Sequence, residues 1–239
     1  MRLLDLTLST PEENLALDEA LLEEAEQEAE SRETLRLWES PEPFVVLGRS
    51  SQVAQEVNLE SCQARGIKIL RRASGGASIV TARGCLMYGL VLGYEARPAL
   101  RSLDVAHRFV LEAMLDALRP LVPGAVRQGT SDLALGDAKF SGNSVRCKRR
   151  TMLYHGTLLY DFDLSLVETC LAMPPRQPEY RRNRAHGAFL TNLPASAQAL
   201  REAVTGGWQA RLEDSQWPRQ RVRDLVATRY GQSDWNYKH

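Results

Sequence analysis

Cysteine is scarce in this 239-residue chain: Cys62, Cys85, Cys147 and Cys170 stand far apart with no C-x-x-C pair. That spacing excludes an ordinary zinc motif and a disulfide framework, so reduced thiols in a cytoplasmic protein are expected. Charge of one sign is missing too. Thirty Lys+Arg balance thirty Asp+Glu to a formal charge of zero, and without a basic excess a general nucleic-acid binder has no field with which to neutralise phosphates. Long hydrophobic runs are absent, and the start Met1-Arg-Leu-Leu-Asp-Leu meets an acid too early for a secretory core, so neither a leader nor a membrane span is expected. Repeats, low-complexity runs and linker composition are also lacking, and residues 1–239 read as a single domain.

What is present is ordinary globular material, 44% hydrophobic and 25% charged, enough to remove roughly 70–75% of the unfolded surface from water. Apolar spacing predicts a helix from Pro11 to about Glu33, and Thr34–Trp38 and Phe44–Gly48 read as two strands joined by a proline-marked turn. A helix over Asn58–Gly66 precedes a strand over Ile67–Leu70. The strand runs directly into Arg71-Arg-Ala-Ser-Gly-Gly-Ala-Ser78. Leu86–Gly93 reads as a strand, Leu103–Leu121 as an amphipathic helix, and Asp132–Tyr160 as a β-meander with polar turns. Asp163 caps a helix through Met173, a polar loop covers Arg176–Arg184, and Gln198–Leu212 and Gln220–Arg229 read as helices.

Two segments carry chemistry. Glycines after a strand let backbone amides approach a ligand, and Arg72 adds a permanent charge, so the loop reads either as an anion cradle or as a tight turn beside a surface arginine pair. It matches neither a Rossmann nor a Walker pattern. Lys139, before Ser141-Gly142, is either an edge-strand gatekeeper or a fixed ammonium for charge that develops in a transition state. His155-Gly156-Thr157 lies on the following strand, where the histidine reads as structural or as part of the same cleft.

Taken in order, Asn14-Leu-Ala-Leu-Asp-Glu19, Val46-Leu-Gly-Arg49 with Glu56-Val-Asn58, Arg71-Arg-Ala-Ser-Gly-Gly76, Asp132-Leu with Lys139-Phe-Ser-Gly142, His155-Gly-Thr-Leu-Leu159 and Thr191-Asn-Leu193 resemble the lipoate-protein ligase A family. That family belongs to a wider group with octanoyltransferases and biotin protein ligases. The resemblance spans about Asn14 to Tyr237. It implies an α+β fold, a mixed, largely antiparallel sheet flanked by helices, similar to the class II aminoacyl-tRNA synthetase and biotin protein ligase catalytic core.

It also implies activation of lipoate or octanoate by ATP and Mg²⁺ to an acyl-adenylate, then transfer to a lysine of a lipoyl domain. Apo lipoyl domains of 2-oxoacid dehydrogenase complexes or the glycine cleavage H protein are the implied acceptors. Neither nucleic acid nor membrane is an expected partner. Carried over by motif, Arg72, Ser74, Gly75, Gly76, Ala77, Ser78, Ile79 and Val80 would surround the acyl-adenylate. Lys139 would be the essential lysine, and Asp132, Ser141, Gly142, His155, Gly156 and Thr157 would line the same pocket, with no protein-built metal site. An apolar slot for the acyl tail is expected from Leu70, Ile79, Val80, Leu86 and Tyr88.

The chain departs from the pattern at Ala77 (usually glycine), Thr81-Ala82 (usually His-Asp) and Ser51-Gln52 (usually Gln-Asn). Only two residues follow Asp234-Trp-Asn-Tyr237, so the family's smaller accessory domain is expected to be absent, or supplied by a separate protein. The alternative is an octanoyltransferase or lipoyl amidotransferase that needs no ATP and works through a cysteine thioester, or the transfer or binding half of a two-part ligase. Against the thioester route, the relatives' nucleophile positions hold Gly129-Thr-Ser-Asp132 and Met173-Pro-Pro175 here. Cys170 falls in a helical pattern and Cys147 on the meander turn. Two basic stretches, Arg146, Lys148, Arg149, Arg150 and Arg176, Arg181, Arg182, Arg184, either steer an acidic lipoyl domain or are ordinary solvated loops.

Overall fold

A computed structural model describes residues 1–28, 32–213 and 216–239. The chain opens with β1 (Arg2–Asp5), α1 (Pro11–Gln27), β2 (Thr34–Trp38) and β3 (Phe44–Leu47), then α2 (Val53–Glu56), α3 (Leu59–Ala64), β4 (Lys68–Arg71) and β5 (Ile79–Thr81). Next come β6 (Cys85–Gly93), α4 (Leu103–Leu118), β7 (Ala125–Gln128), β8 (Asp132–Leu135), β9 (Ala138–Cys147) and β10 (Thr151–Leu159). It closes with α5 (Ser165–Cys170), α6 (His186–Phe189), α7 (Ala197–Gly207), β11 (Arg211–Leu212), α8 (Arg219–Leu225) and α9 (Ser233–Asn236).

The large sheet runs β11-β1-β2-β6-β10-β9-β8-β7 and a small sheet runs β4-β3-β5. Pairing is antiparallel from β2 through β7; β1 is parallel to both β11 and β2, and β3 to β4. This is a mixed α+β fold with a largely antiparallel sheet flanked by helices. Among the described residues no helix is long and apolar enough to cross a membrane.

Period-two alternation sorts the central strands between two cores. Cys85, Met87 and Val91 of β6 join Leu153 and Leu159 of β10 under α1 and the small sheet. Leu86, Tyr88, Leu90 and Leu92 join Met152, Tyr154 and Leu158 on the opposite face, under α4 and α7. Helix α1 starts at a capping box in which the Thr10 hydroxyl accepts the Glu13 amide and the Glu13 carboxylate accepts the Thr10 amide, with Pro11 in the first turn. Residues Asn14 through Leu22 are all buried, because the large sheet lies against one side of the helix and the small sheet and α8 against others.

Several elements differ from the sequence expectation. Helix α1 stops at Gln27, where Glu28 turns extended; residues 29–31 of the expected helix lie outside the described residues, and Glu33 is not helical. Strands β2 and β3 do not pair with each other: the Pro41–Pro43 segment carries the chain from the large sheet to the small one. Strand β7, unmarked by any alternation, exists by pairing with β8. The helix expected over Gln198–Leu212 ends at Gly207, and Arg211–Leu212 pairs with β1 instead. The helices expected over Leu103–Leu121 and Asp163–Met173 shrink to α4 and α5, and the end of the last expected helix widens into a π-turn over Val226–Tyr230.

Candidate active site

A cavity of about 490 Å³ opens between the start of α1, the loop from β4 to β5, the middle of β9 and β10, and the segment from α5 to α6. Its apolar wall includes Leu15, Val46, Ile79, Val80, Met87, Leu159, Phe162, Val167, Leu171 and Phe189. Ile79 and Val80 of the expected slot line it. Leu70, Leu86 and Tyr88 do not: alternation turns Leu86 and Tyr88 to the α4 side of the sheet, and Leu70 packs into the core beneath. The slot expected from these five residues is therefore lined by Ile79 and Val80 alone of the five, because strand membership does not fix the face.

Lys139 reaches the cavity from β9. The register between β8 and β9 slips between Leu133 and Ala134, leaving Phe140 as the extra residue, buried in the α4-side core, and Lys139, Phe140 and Ser141 all contribute to the cavity lining. The ammonium lies 2.8 Å from Asp132 Oδ1. The other carboxylate oxygen, Oδ2, accepts from the Tyr180 hydroxyl at 2.8 Å, and burial together with Asp132 pushes that phenol well above its usual range. The Lys139 strand is thereby paired with neighbours on both sides, which leaves the gatekeeper alternative without an edge to guard: its carbonyl accepts from Thr191 N at 2.9 Å.

The β4–β5 loop is held from behind. Arg72 donates to the carbonyls of Val46 (3.2 Å), Gly75 (2.5 Å) and Ala77 (3.0 Å) and, through Nε, to Ser74 Oγ at 3.0 Å. Burial pushes its guanidinium down to about 10, with Glu56 opposing, so it stays charged at neutral pH. Ser144 Oγ adds a bond to the Gly75 carbonyl at 2.9 Å. A Cβ at Gly48 would fall 1.8 Å from the Gly76 carbonyl, and Gly76 itself sits at φ +86°, so glycine is required at both places. With the carbonyls turned back to Arg72, the amides of Gly75, Gly76 and Ala77 take no hydrogen bond among the described residues. Successive unpaired amides form an anion-binding concavity.

A buried relay joins this loop to the sheet. Ser74 Oγ is 2.6 Å from His155 Nε2, His155 Nδ1 is 3.4 Å from Asp18 Oδ2, and Asp18 Oδ1 is 2.5 Å from Arg36 Nη1. Burial pushes the Asp18 carboxyl up, but Arg36 and His155 outweigh it and hold it below the usual value. Ser74 does not line the cavity and neither does Gly75: Ser74 is buried behind the wall formed by Arg72, Gly76, Ala77 and Ser78, and Gly75 is exposed outside it. The geometry resembles a Ser-His-Asp triad, yet a hydroxyl turned away from the cavity has no substrate to attack, so the relay positions the loop.

Asp132, Ser141, Gly142, His155, Gly156 and Thr157 all line the cavity with Lys139. Further lining residues fall outside the set carried over by motif, among them Glu56, Asn143, Arg181 and His186. Glu56 Oε2 accepts from Ser51 Oγ (3.0 Å), Ser78 N (2.9 Å) and Ser78 Oγ (2.7 Å), and its place within Glu56-Val-Asn58 was the signal available. Asn143 donates to Ser131 O (2.8 Å) and accepts from Tyr88 OH (2.5 Å); it directly follows Ser141-Gly142. Arg181 and His186 also line the cavity; Arg181 falls within the polar loop Arg176–Arg184, and no motif marks His186. Arg181 was grouped with solvent-facing steering arginines; the structure buries it instead, a correction whose cause is the fold of α6 over the loop.

No cysteine lines the cavity. Cys62, Cys85 and Cys170 are buried, and burial pushes the first two thiols up to about 12 and the third upward. Cys147 is exposed at the end of β9. Among the described residues no group of three His, Cys, Asp or Glu side chains is placed to hold a metal ion.

The sequence model of the lipoyl protein ligase A/B catalytic domain matches residues 10–204, and this chain belongs to that family. A protein named lipoate-protein ligase A from Aeropyrum pernix is 34% identical over 220 residues, covering 89% of this chain and 77% of that one. The octanoyltransferase LipM of Geobacillus kaustophilus is 23% identical, covering 99% and 98%. Among solved structures, a bi-partite lipoate protein ligase from Thermoplasma acidophilum, described with its E2 lipoyl domain, aligns with a TM-score of 0.83 at 22% identity over 99% of this chain and 95% of that one. A lipoate-protein ligase A bound with ATP gives the same score and identity over 99% and 98%.

Proposed function

We propose that this chain acts as one catalytic domain of lipoate-protein ligase type, activating lipoate or octanoate with ATP and passing the acyl group to a lysine of an apo lipoyl domain. The observation that carries the reading is the make-up of one cavity: a lysine ammonium and a run of unpaired amides beside an apolar slot, with no thiol on the wall. The substrate carboxylate attacks the α-phosphorus of ATP, forming a mixed anhydride and releasing pyrophosphate. The acceptor amine then attacks the acyl carbonyl, loses a proton, and AMP departs.

Both steps gather negative charge. Lys139 meets the carbonyl and phosphoryl oxygens where that charge develops, and the amides of Gly76 and Ala77 share it. Arg72 supports the reading indirectly, since its donors hold the loop carbonyls back and keep the amides turned toward the ligand. Ser78, Ile79 and Val80 continue the wall toward the acyl tail. Asp132 and Tyr180 orient the ammonium. Ser141, Gly142, Gly156 and Thr157 form the strand floor, with Thr157 Oγ1 accepting from Gly142 N at 3.2 Å. Magnesium would come with the nucleotide substrate and would neutralise its phosphates.

The acceptor is an acidic lipoyl domain, of a 2-oxoacid dehydrogenase complex or the glycine cleavage H protein, steered by exposed Arg149, Arg176 and Arg182. A second reading, acyl transfer from an octanoylated carrier, is favoured by the full-length alignment with octanoyltransferase LipM.

The test is the mass of an apo lipoyl domain after incubation with lipoate plus Mg-ATP, with preformed lipoyl-adenylate, or with octanoyl carrier protein. A gain in the ATP arm that Lys139→Ala abolishes supports the ligase. A gain only with adenylate makes the chain the transfer half of a two-part system that uses a separate accessory protein. A gain only from the carrier establishes the second reading.

A further inference from the structure

Five arginines are buried among the described residues: Arg2, Arg36, Arg71, Arg72 and Arg181. Arg2 and Arg36 face carboxylates, Glu24 at 3.1 Å and Asp18 at 2.5 Å. Arg71 donates to the carbonyls of Gly48, Arg49, Ser51, Trp235 and Asn236, and Arg72 to those of the glycine loop. Arg181 has neither arrangement. It is 4% exposed and takes part in no ion pair among the described residues. Its Nε donates to Arg184 O at 3.1 Å, while Nη2 is 3.3 Å from Met173 Sδ and 3.3 Å from His186 Nδ1. Nη1 has no hydrogen bond among the described residues.

His186 adds no compensating charge. Its Nε2 donates to Ala172 O at 3.1 Å, which leaves Nδ1 to accept from Arg181 and makes the ring neutral; burial lowers its affinity for a second proton. The carboxylates on the cavity wall are committed elsewhere: Asp18 to Arg36 and His155, Glu56 to Ser51 and Ser78, Asp132 to Lys139 and Tyr180. Arg184, the neighbouring cation, is paired with Asp137 at 3.1 Å. A buried charge without a partner is expensive, and this one lines the cavity that Lys139 also lines. Phe189, over which the guanidinium lies at 4.7 Å, packs on Tyr180 at 5.1 Å, and the next residue, Leu190, bridges to Lys139.

We propose that Arg181 is the subsite for the phosphoryl group of the activated acyl donor, the anion that completes its ion pair. A guanidinium keeps its charge when desolvated and offers two parallel donors to a phosphoryl group. The inference rests on the acyl-transfer reading; an adenylate carries its phosphate directly on the acyl group and a 4′-phosphopantetheine thioester carries it at the far end of the pantetheine arm, so the probes below tell the two donors apart.

The experiment measures equilibrium binding of two probe pairs that differ only by phosphate, AMP against adenosine and 4′-phosphopantetheine against pantetheine, to wild type, Arg181→Lys and Arg181→Gln. Wild type is expected to prefer the phosphorylated member of at least one pair, and the pair identifies the donor. Arg181→Gln should lose about tenfold or more of that preference, Arg181→Lys should keep part of it, and the neutral probe should bind all three alike. Thermal stability of the free Gln variant should equal or exceed wild type, because an unpaired charge is removed. An unchanged preference in Arg181→Gln, or a matching loss for both members of a pair with lowered thermal stability, overturns the proposal. A wild type that prefers neither phosphate overturns it together with the acyl-transfer reading beneath it.

Discussion

Lys139 and Gly142 share one strand, and a Cβ added at Gly142 would stand 2.7 Å from the Lys139 ammonium nitrogen. The glycine is therefore the floor on which the charged group rests. Gly142→Ala should push the ammonium aside, away from Asp132, while leaving the backbone unchanged. A displacement of about 1 Å at a reacting group costs on the order of 100-fold in turnover. Acyl-transfer assays with circular dichroism as the folding control check this; wild-type turnover in the variant would mean that the ammonium does not act from this position.

The buried Asp18–Arg36 pair sets part of the acid limb of stability. Asp18 titrates below its ordinary 3.8 in the folded protein. A carboxyl with a depressed folded value binds more protons when unfolded, so its contribution is complete above the ordinary value and disappears as pH falls through the folded one. Asp18→Asn leaves Arg36 without its counter-ion and should cost about 3–5 kcal/mol at neutral pH. Its stability should also decline less than that of wild type on acidification. Urea titrations at a series of pH values test both statements, and parallel pH curves for the two proteins would contradict the second.

If no protein thiol takes part, Cys147→Ser and Cys170→Ala should each transfer acyl groups at the wild-type rate, and alkylation of the exposed Cys147 should change nothing. Loss of transfer in Cys147→Ser with its fold intact would point to a thioester route and away from direct transfer.

Gly156 faces Asn143 across the β9–β10 pair, and a Cβ there would lie 1.7 Å from Asn143 Oδ1. Gly156→Ala should destabilise by about 1–3 kcal/mol, the usual range for overpacking. It should also break the bond from Tyr88. Combining it with Asn143→Ala removes the clash, so a double-mutant cycle should show positive coupling; strict additivity would refute the contact.

The legible parts of the fold were those with a strong local signal. The central strands β6 and β10 and the start of α1 at Pro11 could be read directly, since alternation and helical spacing act within a few residues. Arg211–Leu212 and Ala125–Gln128 could not, because each becomes a strand only when an edge, β1 or β8, lies beside it. Helix α1 ends at Gln27 because Glu28 turns extended, a backbone choice that apolar spacing does not signal. In the site, Lys139, His155 and the glycine loop were recognisable because residue type and motif order carried them. Arg181 was misplaced on the surface, since nothing local distinguishes an arginine that α6 will cover from one left in water.

The sequence by itself determined membership of the family and the cast of the cavity: the lysine, the loop glycines, the histidine and the absence of thiol motifs. These are matters of residue type and order along the chain. Only the tertiary structure decided which way each group is used. It turned Arg72 onto the loop carbonyls and left the loop amides unpaired, set Ser74 behind the wall and Leu86 and Tyr88 on the far side of the sheet, and left Arg181 buried without a counter-ion among the described residues. Partner choice for a buried charge depends on groups brought together from distant parts of the chain, and that convergence exists only once the two cores have packed.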